Sequence, residues 1–224
     1  MEFNDVINNR KSIRSFDPHK TVSDELIKKI ITSAQRTPSW TNSQPWRVYV
    51  ATGGTLASIK ADHLERTQNK VKGNSDLAVI HRVDWGQAMA ENSRVWNAEI
   101  SDYLGEEGLA AFSDLQMHLF NAPAVIYLTV ERKVSPWMIY DMGAFSQSIL
   151  LAAANEQVDT IPAYETAKYP DAIRKIVGTP DNEVIIGGIA MGYRSEGKIN
   201  QFHAKRSPLD HFLTIKHKKR PRIN

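Results

Sequence analysis

The chain has 224 residues, 42% hydrophobic and 24% charged, with a formal net charge of +3. That is the composition of an ordinary globular protein, long enough to build one sizeable core. It has no cysteine, which excludes disulfides, thiolate metal sites and a catalytic thiol. No run of about 18 apolar residues occurs, so no transmembrane helix and no membrane partner are expected. The opening Met1-Glu2-Phe3-Asn4-Asp5 lacks the layout of a signal peptide, so a cytoplasmic location is the default expectation.

The first informative segment, Arg10-Lys11-Ser12-Ile13-Arg14-Ser15-Phe16, gathers three cations and two hydroxyls. If it is extended, Arg10, Ser12 and Arg14 share one face, because side chains alternate along a strand. Guanidinium forks and a hydroxyl on one face suit a phosphate. Residues 23–36 then read as an amphipathic helix, with Leu26, Ile27, Ile30, Ile31 and Ala34 at helical spacing. Ser23 fits the N-cap and Val22 with Ile27 a hydrophobic staple. Asp24 and Glu25 suit the positive end, and Pro38 stops the helix. The polar loop that follows carries Ser39, Asn42 and Gln44. The two amides each donate and accept, which matches the edge of a heterocycle. A phosphate clamp and an amide-rich loop together point to a phosphorylated heterocyclic ligand, without saying which.

Residues 48–51 read as a short strand closed by Gly53-Gly54. Residues 55–119 look mainly helical, with turn residues at Gly73-Asn74-Ser75, and are expected to cover the core and shape a pocket. The apolar run 124–130, after Pro123, suits a central strand. Residues 139–155 form a helix with apolar or small residues on nearly every face, which calls for burial all round and partly against a second subunit. Pro162-Ala163-Tyr164 reads as a loop, residues 169–177 as a helix ending at Gly178, and 184–191 as a second apolar strand. Residues 200–215 carry few periodic cues. The pattern argues for an α+β fold with layers around a central sheet. One domain is expected over residues 1–215, followed by a basic tail at 216–224. Without an accompanying nucleic-acid-binding module, that tail reads as a solvated terminus, and no nucleic acid partner is expected.

Other chemistries find no motif. There is no H-E-x-x-H or related metal spacing, no G-x-S-x-G elbow and no G-x-G-x-x-G. A nicotinamide donor would have to act without a dinucleotide domain of its own.

The segment R-x-S-x-R-x-F followed by P-S-x-x-N-x-Q-P-W resembles the flavin-binding signature of the nitroreductase family, the FMN-dependent NAD(P)H oxidoreductases. Residues 137–154, 158–164, 187–193 and 200–212 resemble the same family in the same order, with a weak middle over 55–119. The resemblance implies a central, mainly antiparallel sheet flanked by helices, in a homodimer holding two FMN groups at the subunit interface. It implies NADH or NADPH as electron donor and small electron-poor acceptors, such as nitroaromatics or quinones, served by ping-pong exchange. Carried onto this chain, Arg10, Ser12 and Arg14 bind the cofactor. Arg206, or Lys205 beside it, adds a cation at the phosphate. Lys11 or Arg14 lies near flavin N1 and O2. Ser39, Asn42 and Gln44 face the flavin of the partner subunit. The main chain after Pro162, at Ala163 and Tyr164, lines the ring, with the Tyr164 N–H at N5. No catalytic side chain is implied, and Tyr140 and Asp141 are read as structural. Two alternatives stay open: a same-fold flavin enzyme of other specificity, such as a dehalogenase, and a non-enzymatic FMN carrier or redox sensor.

Overall fold

The apolar run after Pro123 becomes β2 (Ala124–Glu131), in which every residue except Glu131 is buried. This is seen in a computed structural model that describes residues 1–217; the rest of the basic tail lies outside the described residues. β2 pairs on one side with β1 (Arg47–Thr52) and on the other with β4 (Glu183–Gly192), which in turn pairs with β3 (Asp159–Ala163). The sheet order is β1-β2-β4-β3 and every pairing is antiparallel. A register shift after Leu128 leaves Ile186 as an extra residue on β4, a bulge that locally increases the twist.

Alternation along β2 feeds two cores. Ile126 and Leu128 meet Ile27 and Ile30 of α2 (Asp24–Ala34) and Phe145 and Ile149 of α5 (Pro136–Asn155). Val125 and Tyr127 face the other way. They join Leu56 and Ile59 of α3 (Gly53–Gln68), Ile173 of α6 (Pro170–Val177), and the N-terminal residues Ile13 and Phe16. A long helix, α4 (Gln87–Met117), forms a smaller third cluster with Ile199 of the short α7 (Lys198–Gln201) and with Phe202, which caps it. It is broken at Gly105, whose φ of 70° and ψ of 179° are open to glycine alone among ordinary residues. The α+β architecture with an antiparallel sheet flanked by helices is the expected one.

Several local expectations hold. The Ser23 hydroxyl accepts from the Leu26 N–H at 3.2 Å, and Val22 and Ile27 are buried in the same core. Gly178 ends α6 in the left-handed conformation, φ 79°. Others need correction. The segment around Pro162 is a strand rather than a loop, with Pro162 opposite Ile189. Proline is tolerated there because β3 is an edge strand. Gly53 and Gly54 open α3 rather than merely closing β1, and a helix not expected from the sequence, α1 (Phe3–Asn9), precedes the basic segment. Helix α5 is not buried all round within one chain. Trp137, Tyr140, Gly143 and Gln147 form an exposed stripe at helical spacing, because the single subunit covers only the opposite side.

Candidate functional site

The Arg10–Phe16 segment runs extended beside β3. It is fixed by a bridge between Ser12 and Thr160, by the Ile13 N–H donating to the Thr160 carbonyl at 3.1 Å, and by Phe16 bridged to Arg194. Ile13 and Phe16 are its anchors, at 0% and 1% exposure. Between them, Ser12 and Arg14 open onto a cavity of about 560 Å³. One wall is the end of β3 and the turn after it, from Ile161 to Glu165. The other is Val79 to Arg82 with Trp85, and Trp96, Phe112 and Gln116 from α4. A second cavity, of about 430 Å³, meets the first at Pro162, Ala163, Tyr164 and Val79, and continues over Gly187, Gly188 and the start of α5.

Arg14 is held without a carboxylate partner among the described residues. Its guanidinium donates to the Ser12 carbonyl at 3.2 Å and sits 5.8 Å from the Trp96 ring centroid and 5.9 Å from that of Phe202. Burial lowers its pKa. A cation between two aromatic faces in a partly dry site is attractive to an incoming anion or electron-rich ring edge. Its main chain is fixed from far away by Asn200, which is buried at 4% exposure.

Arg10 departs from the shared face that alternation suggested. It is the C-cap of α1, with its N–H still bonded to the Val6 carbonyl, and so it leaves the strand-like alternation. With Lys11 it lines a neighbouring cavity beside Asp159, Thr160 and Arg194. Burial lowers the Arg10 pKa, and the charge of Arg206 lowers it further, so these two guanidinium groups repel across the intervening space. The Lys11 pKa is likewise lowered by burial and by Arg194, against an opposing effect of Asp159. Among the described residues Arg206 bonds only to backbone carbonyls, those of Ala204 at 2.9 Å and Lys205 at 3.2 Å. Lys205 instead pairs with Glu99 of α4 at 2.7 Å. Both line a groove along α4 that shares Trp96 with the Arg14 cavity.

Ser39, Asn42 and Gln44 do not line their own chain's Ser12–Arg14 cavity. They occupy an exposed loop in which Thr41, Asn42 and Gln44 have φ of 49°, 57° and 46°. The loop is tied internally, with the Gln44 N–H donating to Ser39 Oγ at 3.0 Å. It is tied to α5 by the Trp40 N–H donating to buried Asp141 at 3.0 Å. Asp141 is thus structural, as its position suggested.

The turn after β3 begins at Tyr164, and the first N–H groups of such a turn have no acceptor inside it. Gly188 lets it approach β4: a Cβ there would lie 2.5 Å from Thr166 Oγ1. Sequence reasoning did not single out Arg82, Trp85, Trp96, Phe112 or Gln116 among the cavity walls. These belong to the stretch 55–119, where no motif stands out and only tertiary packing brings them to the site.

The family model described as the nitroreductase family matches residues 7–193. A chloronitrobenzene nitroreductase of Comamonas testosteroni is 26% identical over 219 residues, covering 95% of this chain and 96% of its own. A 4-nitrobenzoate reductase of Pseudomonas putida is 27% identical, covering 87% and 86%. The crystal structure of the FMN-dependent nitroreductase NfnB from Mycobacterium smegmatis in complex with NADPH superposes with a TM-score of 0.87. It is 20% identical, with 96% of this chain and 97% of that one covered. The match over residues 7–193 takes in both the Ser12–Arg14 segment and the β3 turn facing it, and the chain belongs to the nitroreductase family.

Proposed function

We propose that the protein is an FMN-dependent oxidoreductase that takes electrons from NADH or NADPH and passes them to nitroaromatic, quinone or similar electron-poor acceptors, working as a homodimer. The observation that carries this reading is the set of guanidinium groups, Arg10, Arg14 and Arg206, with no carboxylate partner among the described residues. Arg10 and Arg206 repel one another, Arg14 opens onto a cavity of about 560 Å³, and unpaired guanidinium groups beside such a cavity fit a phosphorylated ring ligand. FMN bound there would supply the hydride chemistry.

The chain's own residues then have distinct tasks. Arg10 and Arg206 would hold the phosphate and Ser12 would add a hydroxyl donor. Of Lys11 and Arg14, Arg14 is favoured as the cation beside the ring, because it shares a cavity with Ser12 and the β3 turn. A fixed positive charge there stabilises negative charge as it develops on the ring. The Tyr164 N–H would face the reacting position. Val79 and Ile80 line the cavity and would add apolar surface beside a bound ring. Donor and acceptor would use this one opening in turn, which gives ping-pong kinetics. The exposed Ser39–Gln44 loop and the open stripe on α5 would be completed by a second copy of the chain.

The decisive experiment is the anaerobic visible spectrum of the purified protein before and after NADH or NADPH, followed by a nitroaromatic and a quinone. Acid-released FMN, bleaching by the nicotinamide and recovery with the acceptor are expected, with parallel double-reciprocal lines in steady state. Light scattering should give about twice the 25.3 kDa chain mass. A protein that binds FAD, or holds FMN that neither nicotinamide bleaches, overturns the reading.

A further inference from the structure

We propose that Glu165 and His63 hold one shared proton at the wall of the central cavity and deliver it to the acceptor during reduction, an inference that rests on the oxidoreductase function above. His63 sits on α3 with 5% of its side chain exposed. Its Nδ1 is 3.0 Å from the Met117 carbonyl oxygen and its Nε2 is 3.2 Å from Glu165 Oε2. A carbonyl oxygen only accepts, so Nδ1 must carry hydrogen to make the first contact. An ionised carboxylate also only accepts, so the second contact requires hydrogen on Nε2 as well, or a protonated Glu165. Either way the pair contains one proton more than a neutral imidazole and a carboxylate.

Which partner holds it follows from the surroundings. Burial pushes the Glu165 carboxyl up, but hydrogen bonds and charge from His63 and Lys168 outweigh this and hold it below the usual range. Oε2 of Glu165 accepts from both Lys168 Nζ and His63 Nε2, which leaves the shared proton on the imidazole side of the pair. Lys168 faces Glu165 Oε2 at 3.1 Å from the same turn. On the other side, the Tyr169 ring lies 5.5 Å from the His63 ring, with Arg66 over its far face at 5.4 Å. Lys168 and Arg66 oppose a charged imidazole, and the carboxylate favours it. Glu165 Oε2 takes both bonds, and Oε1 has no partner among the described residues, while Glu165 itself lines the cavity.

The chemistry needs such a proton. Reduction of a nitro group to a nitroso group follows ArNO2 + 2e− + 2H+ → ArNO + H2O. One proton arrives with the electron pair as hydride from the reduced cofactor. The second passes from His63 Nε2 to the Glu165 carboxyl and on to a nitro oxygen, the N–O bond breaks, and the oxygen leaves as water. His63 is left neutral and is reprotonated from solvent. Glu165 is the proton donor and His63 the positioning residue behind it.

Two measurements test this independently. In cofactor-free protein with 15N-labelled histidine at pH 7, the His63 ring nitrogens should both show protonated shifts, and Glu165→Gln should convert one to the unprotonated form. In loaded enzyme, Glu165→Gln and His63→Gln should slow reoxidation by a nitroaromatic about a hundredfold or more, the lower end of the usual range for general acid catalysis. Flavin reduction by NADPH, and reoxidation by ferricyanide, which takes electrons without protons, should stay within about threefold of the parent, well short of that range. A singly protonated His63 in the parent protein overturns the proposal. So does equal slowing with ferricyanide and nitroaromatic, which would mean the pair only maintains the shape of the site. If the parent protein binds no flavin, the oxidoreductase reading fails, and the nitrogen spectrum still decides whether the shared proton exists.

Discussion

Asn200 fixes the Arg14 main chain from 186 residues away, and its side chain spends both its oxygen and its nitrogen on backbone groups of Arg14, Ser15 and Ser195. Oδ1 accepts from the Arg14 N–H at 2.8 Å and the Ser15 N–H at 3.2 Å. Nδ2 donates to the Ser15 carbonyl at 2.7 Å and the Ser195 carbonyl at 3.0 Å. A buried amide so used cannot be replaced without leaving backbone groups unpaired. Asn200→Ala is expected to cost about 1–3 kcal/mol, the penalty of buried unsatisfied polar groups. Urea denaturation should show it, accompanied by weaker FMN retention because Arg14 loses its support. Unchanged stability would mean that water replaces the amide without loss.

Arg206 and Lys205 are adjacent but differently committed. Lys205 is engaged by Glu99, whereas Arg206 touches only backbone carbonyls and lies within electrostatic range of Arg10. Arg206→Ala is expected to weaken FMN binding by about 1.5–3 kcal/mol, the range for hydrogen bonds to a charged group. Lys205→Ala should weaken it less. Fluorescence titration of cofactor-free protein with FMN measures both, and the reverse order would make Lys205 the phosphate contact.

Tyr164 offers a test of backbone against side chain. If its N–H faces the reacting position, Tyr164→Ala should leave flavin reduction within about tenfold of the parent. Tyr164→Pro, which removes the donor, should slow it by the equivalent of about 2.7–4 kcal/mol. Stopped-flow absorbance reads both, with the flavin spectrum and molecular mass of the proline variant checked for distortion. Equal damage from alanine would shift the role to the side chain.

Acid should loosen the hold of Asp171 on Asn74, whose neighbour Ser75 lines the second cavity. Asp171 accepts from Arg66 at 2.9 Å and from Asn74 at 3.3 Å. Partial burial raises its pKa, but those hydrogen bonds and the Arg66 charge outweigh burial and leave it lowered. A carboxyl whose folded pKa is depressed contributes stability above its unfolded value, about 3.9, and loses it as pH falls through the folded pKa. The urea midpoints of the parent and Asp171→Asn should therefore differ at pH 7 and converge below about pH 4. The difference will be small, because Asp171 is half exposed. A gap that persists at low pH would assign the effect to shape rather than charge.

The sequence exposed the parts of the fold whose patterns are local. α2 and its Ser23 cap, the apolar β2 and β4, and the Gly178 terminus of α6 all follow from periodicity and capping chemistry. β3 did not, because Pro162 reads as a breaker unless the strand is known to be at an edge. For the site, the Arg10–Phe16 motif picked out a segment whose Ser12 and Arg14 line the cavity, but alternation misplaced Arg10 once α1 ended on it. Asn200 and the His63–Glu165 pair carry no sequence signature at all. Their roles exist only when residues 186 and 102 positions apart are folded into contact.

The cavity around Arg14 has one wall built from the sheet edge and another built from residues 79–85 and α4. The first is locked into the strand pairing of β3 and the packing of Gly188 under its turn, so its backbone has little room to shift. The second meets the N-terminal and sheet-edge segments across the cavity and carries little of the sheet's own hydrogen bonding. On the proposed function, a lineage could retune which acceptor fits by rewriting Ile80, Trp85 or Phe112 while the sheet-edge wall stays as it was. Selection for a new substrate would leave its marks on one jaw of the vice and not on the other.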